Sequence, residues 1–585
     1  MRKALPYVFA LLSATAITID TASVSEVSAP LTGFNAASLT AVLLFAAFCL
    51  LFKNAKVSKT SICAAAVMGL CHIIGRTFFN RDSLYLICGS KSEALRSLII
   101  FIGVTAILAV LIERLFAYFE TTTPNKKPLP FLATWGIIFV CWIPYLLCRP
   151  PLFGWDTMAQ IDMFFGKWPM YNGHPVISTF FYGLFAKFGI ALGSVNISMY
   201  FLSVSQSLMF SAALAYCLKR TRNLPKAVYF VFLAVFALVP VFSVFGTIAE
   251  KNSVYAVFVL LFTVFAYDAH RGNPTKKQTV GLIVSAVMCI LFRLNGVHVI
   301  LPTLVIFMFG KSAAKKQIAV ATIATVSVYI GTNYILLAVM NIPHGRAIEA
   351  LSLPIQQSAR YAREYSKETP QSEKNVLNKI FDYDDAIVSY NPQISDPVKK
   401  GYIRPATKVP PTKADFAKYF KVWLAQFKRH PKTYFEASLN NTYTYCSFYD
   451  SKLGLRCFPT VYSGSLGEAS LEKVIGYRFK HIFPNESPNI VYRSLAKVEK
   501  AALFAPLFAP LCRIALYTYL LMAVIAYAIK TRKKKLLAVC LPSVLSFLVC
   551  IASPVNGDFR YAIAYSVCVP FLIGLCFEKN KASAQ

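Results

Sequence analysis

Apolar runs of roughly 20 residues recur along this chain, each close to the length a helix needs to cross the ~30 Å hydrocarbon layer of a bilayer. They fall near 5–20, 38–53, 60–77, 97–118, 129–148, 197–217, 227–246, 253–269, 278–292, 297–310, 317–340, 511–530, 535–552 and 562–577. The pattern predicts an all-α polytopic membrane protein with about 14 transmembrane helices. Between the runs lie basic connectors: "MRK", "KNAKVSK", "PNKK", "KRTRNLPK", "HRGNPTKK", "KSAAKK" and "KTRKKK". Cytoplasmic loops retain Lys and Arg, so these connectors are assigned to the cytoplasm. An even number of spans then returns both termini to that side.

One apolar run is left out of the count. If "VISTFFYGLFAKFGIALG" at 176–193 crossed the membrane, "KRTRNLPK" would fall outside, so it is read as a helix at the outer interface with Lys187 snorkelling to water. The short runs 278–292 and 297–310 predict a helical hairpin with "RLNGVH" at its outer tip. Segment 341–501 then lies outside, and its stretch "FAKYFKVWLAQFKRHPKTYFEASLNNTYTY" predicts an amphipathic helical pair broken at His430-Pro431. The chain divides into a transmembrane scaffold 1–128 with little polar material, and a transmembrane core 129–340 with a first outer loop 149–196. An extracytoplasmic domain 341–501 and C-terminal transmembrane helices 502–585 follow.

Composition agrees with this layout. The chain is 56% hydrophobic and 15% charged, which excludes an ordinary soluble protein because so much apolar surface needs lipid around it. A net charge of +33 would point to nucleic acid in a soluble chain. Here it follows the connectors, and no nucleic-acid partner is expected. The start, "MRKALPYVFALLSATAITID", lacks a clear small-residue cleavage site and reads as the first span. Most of the fifteen cysteines lie in spans, as small apolar residues. Cys446 and Cys457 sit together in the outer segment, where a disulfide between them is open. His174, His270, His344, His430 and His481 are scattered, and no Cys/His spacing suits zinc.

Against this background a few polar residues stand out on the outer side. They are Asp156 in "RPPLFGWDTMAQ", Glu250 and Lys251 in "GTIAEKNSVYA", Arg293 and Asn295 in "FRLNGVH", Gln356, Gln357 and Arg360 in "SLPIQQSAR", and Asp558, Arg560 and Tyr561 in "PVNGDFRYA". Ionisable residues at the ends of spans can simply snorkel, but five clusters at one level make a shared outer pocket a natural expectation. Nucleotide sugars are cytoplasmic, so an outer-face enzyme that builds glycosidic bonds takes its sugar from a lipid-borne phosphate. An aspartate can accept the proton of the attacking hydroxyl. Arginine and lysine can hold the phosphate that leaves.

The order "GWD", "AEKN", "FRLNG", "PIQQSAR", "YNPQISDPVKKGY" and "RY" resembles a group of multispanning bacterial cell-envelope proteins. That group looks like part of the GT-C superfamily of lipid-linked-sugar glycosyltransferases. The resemblance runs from about 129 to 577 and implies a GT-C-like bundle with a mainly helical extracytoplasmic segment. It makes Asp156 the catalytic acid of the first outer loop. Lys251 matches a lysine usually followed by an acid; here Asn252 follows and Glu250 precedes, so Glu250 is the candidate second acid. Lys251, Arg293, Asn295, Gln356, Gln357, Arg360, Arg560 and Tyr561 become the candidate substrate-binding set. The first loop has no DxD pair to hold a metal, so the expected reaction is a cofactor-free inverting transfer. A polyprenyl-phosphate sugar would be the donor, and a glycan or lipid of the cell envelope the acceptor, on the outer face of the cell membrane. Two alternatives remain: a lipid-linked oligosaccharide polymerase or ligase, and a flippase or transporter, which would place ionisable groups near the bilayer midplane.

Overall fold

The structure is a computed structural model, and it describes residues 4–21, 36–122, 129–147, 154–193, 195–221, 224–272, 274–310, 314–403, 411–452, 490–505 and 508–578. Among these the fold is all-α: no strand forms, and extended segments meet only in isolated bridges. Seven helices are long and apolar enough to cross a membrane: Lys59–Arg81, Lys91–Thr121, Ile197–Arg220, Lys251–Arg271, Lys315–Val339, Lys534–Ile551 and Phe559–Cys576. Such helices need a lipid environment. An eighth would be the pair Lys226–Leu238 and Pro240–Thr247, bent by 54°. The bend has a cause in the sequence, since Pro240 holds Val239 in an extended conformation, ψ 119°, and opens the second segment. The rest of the expected fourteen runs fall on shorter helices, such as Leu5–Thr21 and Phe131–Leu146. The run kept out of the count, Val176–Ala191, is among these shorter helices.

The chain gathers into two compact units. The first contains Met1–Thr121, Ala347–Arg456 and Cys550–Asp558. Its helices Leu5–Thr21, Ala36–Phe52, Lys59–Arg81 and Lys91–Thr121 pack together. Gly103 permits one close approach, because a Cβ there would sit 2.4 Å from the Ala16 methyl. The later segment of this unit folds on its own apolar core of Ile348, Ile355, Ala359, Leu377, Phe381, Tyr383 and Tyr419. Its helices Lys413–Arg429 and Pro431–Asn440 meet at His430 as the sequence pattern predicts, because Pro431 takes the first helical position of the second.

The N-terminal helices depart from expectation, since they carry buried polar groups. Asp20 accepts from His72 Nε2 at 2.7 Å and from the Tyr449 hydroxyl at 2.7 Å, and it pairs with Arg76 Nε at 3.3 Å. Glu113 accepts from Ser58 Oγ at 2.7 Å and Ser61 Oγ at 2.5 Å. Each carboxylate neutralises donors that would otherwise be stranded in an apolar bundle, and that requirement outweighs the apolar average of these runs.

The second unit contains Thr122–Arg346, Cys457–Val549 and Phe559–Gln585. At its centre is the helix Lys251–Arg271, 83% of whose best apolar window is buried. It packs on Lys276–Phe292, Val195–Arg220 and Phe559–Ser566. A helix apolar all round can be buried on every side, and this places the polar residues of its first turn inside the unit.

Candidate functional site

The site is built around the short link that precedes this central helix. Ile248 and Glu250 are extended, with ψ 128° and 139°, so the peptide groups of the link lie outside any helix and must find partners. Gln206 supplies two: its Oε1 accepts from Glu250 N at 3.4 Å, and its Nε2 donates to Ile248 O. Ala249 O accepts from Thr157 Oγ1 at 2.7 Å and Gly154 N at 3.4 Å, which docks the start of the helix Trp155–Phe164 on the link. Gly154 is needed for that approach, because a Cβ would stand 2.9 Å from Glu250 Cγ. Asp156, two residues further on, is thereby held against Lys251.

Asp156 Oδ2 pairs with Lys251 Nζ at 3.0 Å, and its Oδ1 lies 3.6 Å from Arg560 Nη1. The Lys251 ammonium also meets His174 Nδ1. A second branch runs through Asn252, whose Nδ2 donates to Glu250 Oε1 at 2.5 Å while its Oδ1 accepts from Arg293 Nη1 at 2.9 Å. Tyr561 ties the branches together. The Arg293 guanidinium lies 4.9 Å and the Arg560 guanidinium 4.7 Å from its ring centre, and Arg560 Nη2 donates to its hydroxyl at 2.8 Å. Tyr255 lies on Arg293 as well, at 5.4 Å. Glu250, Lys251, Asn252 and Arg293 are buried, whereas the Asp156 and Arg560 side chains keep 20% and 22% of their exposure. Access from outside is therefore at Asp156 and Arg560.

Three cations face two carboxylates here, so the cluster carries one net positive charge. It also collects two helix N-termini, those of Lys251–Arg271 and Phe559–Ser566, which add partial positive charge. Burial would raise the Asp156 carboxyl. The Lys251 ammonium and the Arg560 guanidinium outweigh it and hold the group well below the usual carboxylate range. Burial, reinforced by Lys251, lowers the His174 imidazole to about 4, so this ring is neutral at pH 7 and can accept from the ammonium at Nδ1. The arrangement can bind a dianion, and it presents a carboxylate beside it.

Of the residues singled out from sequence, Asp156, Glu250, Lys251, Arg293, Arg560 and Tyr561 come together. Asn295 lies on the 3-10 turn Leu294–Gly296, exposed. Gln356, Gln357 and Arg360 belong to the other compact unit, as does Asp558. There Arg360 Nε pairs with Glu364 at 2.7 Å, Nη2 with the buried Glu436 at 2.6 Å, and Nη1 donates to Asp82 O at 2.9 Å. Gln356 donates to Asn391 O at 2.6 Å, and Gln357 bridges Ser438 at 2.8 Å and Trp423 at 3.0 Å. These contacts are internal supports of the 347–456 segment. Arg360→Ala leaves the buried Glu436 with only the Leu84 N–H at 2.8 Å and a 3.8 Å contact to Lys432, and is expected to cost about 3 kcal/mol of stability, read as a lower thermal midpoint in detergent. Full stability with reduced transfer would instead return Arg360 to the substrate set.

His174 was missed by the sequence reading, as was the bridging role of Asn252. Tyr182 is a further omission: it is fully buried, its hydroxyl has no hydrogen-bond partner, and Glu250 and Asp156 are near enough to act on it. The available signal for His174 was "YNGHP", a polar turn before an apolar helix, in the same connecting stretch as Asp156. Among the described residues no three His, Cys, Asp or Glu side chains gather as a metal site would need.

Comparison with known proteins adds one finding. A family model described as a family of unknown function (DUF6020) matches residues 169–585, and the chain belongs to that family. Its match takes in His174, Glu250, Lys251, Arg293 and Arg560 and begins just after Asp156. No curated protein and no solved structure matches the chain.

Proposed function

We propose that this protein is a membrane glycosyltransferase of GT-C type, moving a sugar from a polyprenyl phosphate to a glycan or lipid of the cell envelope at the outer membrane face. The observation that carries the reading is the cation group of buried Lys251 and Arg293 with part-exposed Arg560, set against the part-exposed carboxylate of Asp156. In the resting state Asp156 is a weak base, because Lys251 and Arg560 hold it ionised. A donor phosphate arriving at the cluster draws these cations to itself, and as they leave, the basicity of Asp156 rises. The acceptor hydroxyl then attacks the anomeric carbon, its proton passes to Asp156, and the bond from that carbon to the phosphate oxygen breaks with its electron pair going to the phosphate. The cations stabilise the charge that develops on that oxygen. Neutral His174 holds the Lys251 ammonium at the cluster in the resting state and, carrying no charge, does not compete for the phosphate. The cations stand at helix ends rather than at mid-span, which favours surface chemistry over a translocation path.

The direct test is mass spectrometry of envelope glycans from a deletion strain, where loss of one sugar or one glycan class is expected. Wild-type glycans in that strain would sink the proposal. The same reading puts the protein in the cell membrane with about 14 crossings and both termini cytoplasmic. Segment 347–456 then faces outward, so Val388→Cys, at a residue 85% exposed, is expected to react with a membrane-impermeant maleimide on intact cells. Protection of that thiol would reverse the topology and remove the outer-face substrate.

A further inference from the structure

In the first compact unit, the helix Lys59–Arg81 lies against the turn at Tyr443–Tyr445. Its residues Cys71, Gly75 and Phe78 are spaced by four and three, so they share one face. The Phe78 ring stacks on Tyr443 with centres 6.5 Å apart. A Cβ on Gly75 would stand 2.3 Å from Ser447 Cβ, so this face of the helix is pressed directly on the chain that follows the turn. One helical turn before Gly75 is Cys71, and the residue before Ser447 is Cys446. The Gly75–Ser447 contact therefore brings these two thiols to the same place, near enough to act on each other. The contact is flanked by the His72 and Tyr449 rings, 5.4 Å apart, and by the Tyr449 hydroxyl on Asp20 at 2.7 Å. Both cysteines are free and partly exposed.

We propose that Cys71 and Cys446 are a redox pair that closes to a disulfide, fastening the N-terminal helices to the 347–456 segment of the same unit. The partner weighed for Cys446 from sequence, Cys457, lies outside the described residues, whereas Cys71 stands one helical turn from the Gly75–Ser447 contact. Cys446 belongs to the segment read as outward, and Cys71 lies in the half of the Lys59–Arg81 span nearest that side, so the pair is reached from the oxidising side. The reaction is an exchange: one thiolate attacks a protein or small-molecule disulfide, forming a mixed disulfide and releasing one donor thiol, and the second thiolate then displaces the other. Two electrons pass from the cysteine pair to the donor, which leaves as two thiols. The bond joins chain positions far apart in sequence, and such cross-links restrict the unfolded chain most.

This inference rests on the outer-face reading of 347–456, and the two fail separately, because maleimide labelling at Val388→Cys reports sidedness while peptide mapping reports the bond. The full chain is quenched with N-ethylmaleimide in denaturant directly from membranes, digested without reductant and mapped by mass spectrometry. A linked Cys71–Cys446 peptide is expected, and reduction before alkylation should convert it to two labelled peptides. In Cys71→Ser the Cys446 thiol should take the label, and in Cys446→Ser the Cys71 thiol should. Both cysteines labelled in the wild type, even after incubation with oxidised glutathione, would overturn the proposal. So would a link from Cys446 to its other neighbour, Cys550.

Discussion

Asp156→Asn is expected to lower sugar transfer by on the order of 10²–10⁴-fold, the range a positioned general base contributes, while expression and donor binding persist. The amide keeps the shape of the carboxylate but cannot take up the proton of the acceptor hydroxyl. It also frees Lys251 and Arg560 from their carboxylate partner, so the affinity for a phosphate should hold or rise. Asp156→Glu is expected to be impaired as well, since the added methylene moves the oxygens by about 1 Å, a displacement that can cost ~100-fold. A purely local role would be capping of the helix Trp155–Phe164, which Asn fills almost as well as Asp. The structure gives the cap position to Gly154, and the Asp156 oxygens go to the two cations instead. Transfer from a labelled polyprenyl-phosphate sugar in reconstituted membranes separates the two roles. Near-normal transfer by Asp156→Asn would remove the carboxylate from the chemistry.

Much of this site was legible in the sequence because isolated charges beside long apolar runs are costly and therefore conspicuous. Asp156, Lys251, Arg293 and Arg560 were found in that way, and the structure brings all four together at the ends of helices. Arg360 carried the same signal and lies in the other compact unit, with partners of its own. Topology sorts residues by the side of the membrane they face, whereas the partners of Arg360, Glu364 and Glu436, are set by packing inside the 347–456 segment. Gln356 and Gln357 likewise take their partners from that segment. His174 was passed over because a lone histidine has no spacing to reveal it, and only the fold brings it to Lys251. Asp20 is too far in sequence from His72 and Arg76 to read as a group with them, and average hydropathy hides all three. The apolar runs were legible as helices throughout, since a segment in lipid must satisfy its own backbone. Their lengths were less so: the break at Pro240 reflects a local backbone constraint rather than hydropathy.

Lys251→Met is expected to produce two losses that a double substitution can pull apart. The methionine keeps the unbranched apolar stem but removes the ammonium from a side chain only 7% exposed. Asp156 then keeps only the longer contact to Arg560, and the buried Glu250 loses a neighbouring positive charge. Removing one partner of a buried pair typically costs about 3–5 kcal/mol, so the thermal midpoint in detergent should fall clearly. Transfer should fall by on the order of 10²–10³-fold in the protein that remains folded, the effect of losing one oriented donor to the developing charge. Combining Lys251→Met with Asp156→Asn removes both members of the pair, and most of the stability should return because no uncompensated carboxylate is left at 156. Transfer should stay low in the double variant, since both the base and the Lys251 ammonium are gone while Arg293 and Arg560 alone remain for the phosphate. If restoring stability also restored transfer, the pair would be a structural strut, and the glycosyltransferase mechanism would lose its central residues.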